Sequence, residues 1–287
     1  MGHVLATAHD MAREYRIISA LADSNVPVPS VVGLCEDNQV TGAPFYVMDF
    51  VLGLVVRTVE DAALVPVDVR RRMGVALVEV LARLHDVDLE TVGLSDLGRH
   101  DGYVERQLKR WRTQFERSTT RDLPQVLETH EMLAARVPAQ QGAGIVHGDY
   151  RLDNCVMSAA GEVAAVLDWE LCTTGDVLAD VAGMVAYADS RATGGQLPPT
   201  SIEGFPTIDE VRSLYEAHGT RDLAELDYYL AFAYWRIACI VEGVYSRYAA
   251  GVMGDQDDPR LVEAFGQRVI DLADLAHEMA SRLPAGT

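Results

Sequence analysis

Apolar positions along the chain alternate between helical and strand periods. After Asp10, a residue type that caps helix starts, Tyr15, Ile18 and Leu21 recur at helical spacing and predict a helix over 11–22, with Glu14 on its first turn. Asn25-Val26-Pro27-Val28-Pro29 ends it, because two prolines remove backbone donors and force extended geometry. Two strands follow, at 31–35 and 45–50, separated by a polar turn at 36–43 and leading to Gly53. Pro66 opens a helix over 67–87, with Met73, Leu77, Val80, Leu81 and Leu84 as its apolar stripe. Further helices are predicted at 101–117, 123–137, 177–188, 207–218, 222–247 and 259–282, the second of these as a buried element. Segment 189–206 is rich in Gly, Pro, Ser and Thr and reads as a loop.

One stretch between these helices changes to short apolar runs. Ile145-Val146-His147-Gly148-Asp149-Tyr150-Arg151-Leu152-Asp153-Asn154 leads into Val156-Met157, a turn at Ala159-Ala160-Gly161-Glu162, and Val163-Ala164-Ala165-Val166-Leu167-Asp168-Trp169. The pattern predicts a hairpin. If residue 158 pairs with residue 163, Asn154 lies opposite Leu167 and Asp168 falls at the same end. Cross-strand neighbours are roughly 5 Å apart at Cβ, so an amide oxygen and a carboxylate converge there. Hard oxygen donors with room for water suit Mg²⁺. Asp149, in the turn entering the hairpin, is a third polar group directed at the same place.

Composition narrows the classes. The 287 residues are 49% hydrophobic and 23% charged, enough for one two-lobed domain or two small ones. A net charge of −19 argues against a nucleic-acid partner, which needs a basic face. The same charge would steer in a cationic substrate, or merely reflect solubility. The four cysteines, Cys35, Cys155, Cys172 and Cys239, form no C-x-x-C pair and fit reduced thiols in a cytoplasmic protein. The first ten residues lack the pattern of a signal peptide. The most apolar helix carries Arg236 in its middle and is too short to span a membrane, so it is expected in the core.

The spacing His147-x-Asp149-x₄-Asn154, followed by a hairpin ending in Asp168, resembles the catalytic and metal loops of the kinase fold. Gly148 at the second position and Asp168-Trp169 in place of Asp-Phe-Gly resemble the aminoglycoside phosphotransferase branch, which includes choline and homoserine kinases. The resemblance covers about residues 8–280. It implies an α+β, protein-kinase-like two-lobed fold: a truncated N-lobe in 1–52 (helix, two strands, hinge) and a mostly helical C-lobe in 53–287. It further implies an ATP- and Mg²⁺-dependent transfer to a hydroxyl group of a small molecule. Carried over by position, Asp149 would accept or orient the substrate hydroxyl and His147 would anchor the loop through a backbone carbonyl. Asn154 and Asp168 would hold Mg²⁺. Arg151 would neutralise the moving phosphoryl group, unless it is simply a solvated arginine. Glu14 would be the helix glutamate of the nucleotide site, and the Asp49 carbonyl and Val51 amide would bond the adenine edge. Gly175-Asp176-Val177-Leu178-Ala179-Asp180 resembles the family's G-D-P-x-x-D segment, whose last Asp braces the catalytic loop.

The family's Gly-rich loop and nucleotide-binding lysine have no counterpart: residues 1–13 contain no lysine and only Arg13. The expectations are a shortened chain, slow phosphotransfer without those parts, or a catalytically impaired pseudokinase-like binding module. Ala12-Arg13-Glu14-Tyr15-Arg16, Pro44-Phe45-Tyr46-Val47-Met48 and Val166-Leu167-Asp168-Trp169-Glu170 are most similar to the kinase-like domains fused to, or found beside, acyl-CoA dehydrogenases. That subgroup implies hydroxyacyl acceptors, including CoA thioesters, and an acyl-CoA dehydrogenase partner. The acidic net charge suits an aminoglycoside better and would repel CoA, unless Arg106, Lys109, Arg110 and Arg112 form a basic patch.

Overall fold

The computed structural model describes residues 10–192, 197–251 and 259–284. The first helix, α1 (Met11–Leu21), is capped by Asp10, whose carboxylate accepts the Arg13 amide at 3.0 Å. It buries Ile17, Ile18 and Leu21 beside a two-stranded antiparallel sheet of β1 (Val31–Cys35) and β2 (Phe45–Met48). The expected polar turn between the strands contains a one-turn helix, α2 (Asn38–Thr41), started by the Asp37 side chain. The second strand stops two residues short of Phe50, where the Asp49 amide turns to the Ser30 carbonyl at 2.8 Å.

The short helix α3 (Val59–Ala63) follows, set by a capping box between Thr58 and Asp61. Helices α4 (Val67–His85), α5 (Tyr103–Ser118) and α6 (Pro124–Ala134) come next. Four short strands then occupy the middle of the chain: β3 (Gly144–Val146), β4 (Cys155–Met157), β5 (Val163–Val166) and β6 (Thr173–Gly175). Helices α7 (Leu178–Ala188), α8 (Ile208–His218), α9 (Leu226–Ala249) and α10 (Pro259–Arg282) complete the order. Between α7 and α8 the loop holds two 3-10 turns, Ser190–Ala192 and Pro199–Ser201.

The buried helix is α9, not α6. Every residue from Tyr228 to Cys239 is buried, whereas α6 buries only Val126, Thr129 and Leu133. A helix apolar on all sides must be surrounded, and α9 packs against α5, α6, α7 and α10. Its aromatic tips find partners on α6: Tyr228 Oη donates to the Leu133 carbonyl and Trp235 Nε1 to the Val126 carbonyl, each at 2.9 Å. Among the described residues no helix is long and apolar enough to cross a membrane.

The hairpin forms with the expected register at its open end. Cys155 pairs with Val166, and the Leu167 amide donates to the Asn154 carbonyl at 2.8 Å. Nearer the turn a bulge shifts the register, so that Met157 pairs with Val163. A second pairing, of β3 with β6, places Val146 opposite Thr173 and carries the chain back beside His147. The α1–β1–β2 unit is tied to this region at three points. Arg13 donates to the Leu97 and Cys172 carbonyls at 3.0 and 2.7 Å, and the Val166 amide donates to Pro27 at 2.8 Å. Leu54 exchanges two backbone hydrogen bonds of 2.8 Å with Met157. Gly53 permits this approach, because a Cβ there would lie 2.5 Å from Val156 Cγ1 and 2.6 Å from the Met157 carbonyl oxygen.

Candidate active site

The His147-Gly148-Asp149 turn is held from beneath by a buried carboxylate. Asp180, in the first turn of α7, accepts the His147 amide at 2.5 Å and the Gly148 amide at 2.9 Å. Burial pushes the Asp180 carboxyl up, but the His85 and His147 rings and the Gly148 N–H outweigh it and hold it below the usual carboxylate range. The His85 ring stands 3.7 Å from that carboxylate and is fixed on its other side by the Tyr215 hydroxyl at 2.7 Å. Gly148 adopts φ +88°, which favours glycine, and a Cβ would press to 2.9 Å on the Leu171 carbonyl oxygen.

His147 is fully buried and is a structural ring in this geometry. Its Nε2 lies 2.9 Å from the Leu167 carbonyl, and its Nδ1 accepts the Asp149 amide at 3.3 Å. The ring therefore has a partner at each nitrogen. Trp169 covers the ring, centroid to centroid 4.7 Å, and donates its indole N–H to the Val166 carbonyl.

Asp149 and Asn154 meet across the short 3-10 turn Leu152–Asn154. Asn154 Nδ2 faces two oxygens, the Asp149 carbonyl and its Oδ2, which assigns the nitrogen and turns Oδ1 away as an open acceptor. Asp168 follows β5 with an exposed side chain and φ +63°; among the described residues it is the one non-glycine residue at positive φ. Such a conformation in a non-glycine residue is a strained one, kept where the surroundings demand it. A carboxylate and an amide oxygen at one end of a hairpin are the hard donors that Mg²⁺ takes along with waters and phosphates, so the residues present fit that ion.

Arg151 is engaged on two sides. It pairs with Asp153 at 2.6 Å and lies 3.5 Å from Asp149 Oδ2, with its guanidinium 5.1 Å from the Tyr187 ring centre. Burial raises the Asp153 carboxyl, against the pull of Arg151. Glu14, buried at the sheet, accepts the Tyr46 hydroxyl at 3.1 Å. Burial, then the charge and hydrogen bond of Glu14, then Asp168 push the Tyr46 hydroxyl up to about 12. The segment after β2 is open: Phe50 is 87% and Leu52 83% exposed, and among the described residues neither the Asp49 carbonyl nor the Val51 amide has a backbone partner.

A cavity of about 210 Å³ opens beside the Leu152–Asn154 turn. Its floor is apolar, with Leu77, Val78, Met184, Phe205 and Val211. Three arginines from distant parts of the chain, Arg57, Arg151 and Arg268, line it together with Asp153. Sequence reasoning missed Arg57, Arg268 and Asp153, since nothing local sets them apart. The basic run on α5 lies elsewhere. Lys109 and Arg112 border a separate groove with His130, Arg106 is turned back to the Asp101 and Arg99 carbonyls, and Arg112 bonds Glu116 and Glu131.

Residues 2–214 match the model of a family described as the phosphotransferase enzyme family. Mouse acyl-CoA dehydrogenase family member 10 is 35% identical over 98% of this chain, and the chicken family member 11 is 34% identical over 98%. The chain spans 26% and 37% of the length of those two relatives. The crystal structure of a putative aminoglycoside phosphotransferase from Ralstonia eutropha superposes with a TM-score of 0.83 at 32% identity, covering 95% of this chain and 83% of that one. An aminoglycoside phosphotransferase solved with GDP and kanamycin shares the fold at a TM-score of 0.60 and 15% identity, covering 91% of this chain and 82% of that one.

Proposed function

The chain belongs to the phosphotransferase enzyme family, with a kinase-like fold, and on that premise we propose that it transfers the γ-phosphoryl group of ATP to a hydroxyl of a small hydroxyacyl compound. Asp149 accepts the hydroxyl proton as the oxygen attacks phosphorus and the bond to the ADP oxygen breaks. A positioned base of this kind contributes roughly 10²–10⁴ in rate. Asn154 Oδ1 and the Asp168 carboxylate would hold Mg²⁺, which would offset the charge of the phosphates. The open Asp49 carbonyl and Val51 amide receive the adenine edge, and Glu14 belongs to the nucleotide side of the cleft. Arg151 stands where charge gathers on the transferred group.

The observation that carries the acceptor class is the cavity. A chain of net charge −19 gathers three arginines and one aspartate around an apolar floor, and one of them, Arg151, lies 3.5 Å from Asp149 Oδ2. A polycationic aminoglycoside would meet three guanidinium groups there. An apolar acyl body with an anionic group would meet complementary chemistry. A cavity of about 210 Å³ takes an acyl body and leaves the nucleotide part of a CoA thioester outside. The similarity to acyl-CoA dehydrogenase family members supports the same class and an acyl-CoA dehydrogenase as partner.

The test is ADP release and phosphorus NMR with MgATP, offered hydroxy fatty acids, their CoA thioesters, and kanamycin. Phosphorylated hydroxyacyl product that disappears in Asp149→Ala is the expected result. Turnover with kanamycin alone, or turnover that survives Asp149→Ala, overturns the assignment. MgATP binding without turnover of any acceptor would replace it with a nucleotide-binding module.

A further inference from the structure

Arg236 lies in the middle of α9 and is only 7% exposed, on a helix whose neighbouring positions are apolar. Its guanidinium donates to the Gly148 carbonyl at 2.7 Å. The same glycine donates its amide to Asp180 Oδ1 at 2.9 Å. Gly148 is therefore gripped on both sides, its N–H by a buried anion on α7 and its C=O by a buried cation on α9. Asp149 is the next residue. We propose that Arg236 is a positioning residue for phosphotransfer: by holding the Gly148 carbonyl, it sets the direction in which the chain delivers the Asp149 carboxylate. The proposal rests on the reading of Asp149 as the proton acceptor.

Three further facts support it. Burying a guanidinium is costly unless it is paired and hydrogen-bonded, and a methionine or leucine would fill the same space on an apolar helix without that cost. The charge is kept by its surroundings: burial opposes it, while Tyr103 on α5, Tyr187 and Asp180 on α7 and Asp149 favour it, against Arg110 on α5. Gly148 also needs a firm hold, since its φ of +88° is one that glycine leaves readily. Misplacing a reacting group by about 1 Å costs roughly 10²-fold in rate. Arg236 needs no contact with substrate to act this way.

The experiment compares Arg236→Met, Arg236→Lys and the unaltered chain. In Arg236→Met, kcat for the best acceptor should fall about 10²-fold while the Kd of MgATP stays within about threefold. Arg236→Lys, which keeps a cationic donor on a different geometry, should recover part of kcat, and added guanidinium ion should restore part of the Arg236→Met rate. Hydrogen exchange of the 147–150 amides needs no turnover and should quicken in Arg236→Met at unchanged melting temperature. Should the unaltered chain phosphorylate nothing, the functional reading falls, and amide exchange still tests the grip on Gly148. The proposal is overturned if Arg236→Met keeps its kcat, if kcat and MgATP affinity fall together, or if the loop amides exchange as before. If Arg236→Met does not fold, the decision passes to Arg236→Lys, where a partly lowered kcat with faster exchange of the 147–150 amides and unchanged MgATP affinity supports the role, and kcat and exchange both as in the unaltered chain overturn it.

Discussion

One nitrogen of Asn154 holds Asp149 twice: Nδ2 donates to its carbonyl at 2.8 Å and to its Oδ2 at 2.9 Å. The group proposed to take the proton and the group proposed to hold the metal are therefore one unit. Their substitutions should differ in kind. Asp149→Asn should leave MgATP affinity within about threefold and lower kcat by roughly 10²–10⁴, because only proton acceptance is lost. Asn154→Ala removes an oxygen donor and releases the Asp149 carboxylate, so affinity and kcat should both fall. Calorimetry with MgATP beside an ADP-release assay reads the difference, and equal effects of the two changes on affinity would break the division of roles.

Asp180 makes a stability prediction with a pH sign. It accepts two amides, from His147 and Gly148, and an asparagine offers only one oxygen. Asp180→Asn leaves one buried N–H facing an NH₂ group, at a cost of about 1–3 kcal/mol. The folded carboxyl lies below its ordinary value of about 3.9, so its contribution is present above that pH and is lost as pH falls through the folded pKa. Urea unfolding at neutral pH should show the loss. The difference between the two proteins should shrink below about pH 4. A difference that grows in acid would contradict the assigned ionisation.

Asp168 joins a strained backbone angle to its proposed role at the metal. At φ +63° a glycine relieves the backbone, while a β-branched residue is opposed by about 1–2 kcal/mol. Asp168→Gly should be as stable as the natural chain or up to about 1 kcal/mol more so, and Asp168→Val should be clearly less stable. Both should lose Mg²⁺-dependent turnover. If Asp168→Gly is the less stable of the two, the strain is not what the backbone angle indicates.

The parts legible in the sequence are those whose partners are close along the chain. The register of Cys155 with Val166 follows from a four-residue turn and two apolar runs, and only the bulge near Met157 escapes that reasoning. Pairing of Val146 with Thr173 was hidden, because three-residue strands with no alternation look like turns until something lies beside them. Arg236 read as an interruption in an apolar helix; its meaning depends on a carbonyl 88 residues away. The same holds for Arg57 and Arg268, ordinary surface-type arginines until the fold brings them to one cavity with Arg151. On α5, clustering in sequence gave Arg106 and Arg112 nearby carbonyls and carboxylates of their own, away from the cavity.

Arg268 offers the sharpest test of the acceptor class. Its Nε is held by the Ala192 carbonyl at 3.1 Å, which fixes the guanidinium at the cavity wall. Burial and the facing charge of Arg151 lower its pKa, against the pull of Tyr187, so two cations are kept near each other at some cost. An anionic ligand relieves that repulsion, and a cationic one adds to it. Arg268→Met should therefore raise the KM for a hydroxy acid about tenfold, equivalent to about 1.4 kcal/mol, with the KM for MgATP unchanged. The KM for the acid should also climb with added salt in the natural chain and much less in the variant, because screening weakens an attraction that the variant no longer has. For a polycationic acceptor the sign reverses, and Arg268→Met would bind it better. Steady-state kinetics at low and high salt on both proteins distinguishes the cases, and an acceptor KM indifferent to both the substitution and the salt would remove the arginines from the account of specificity.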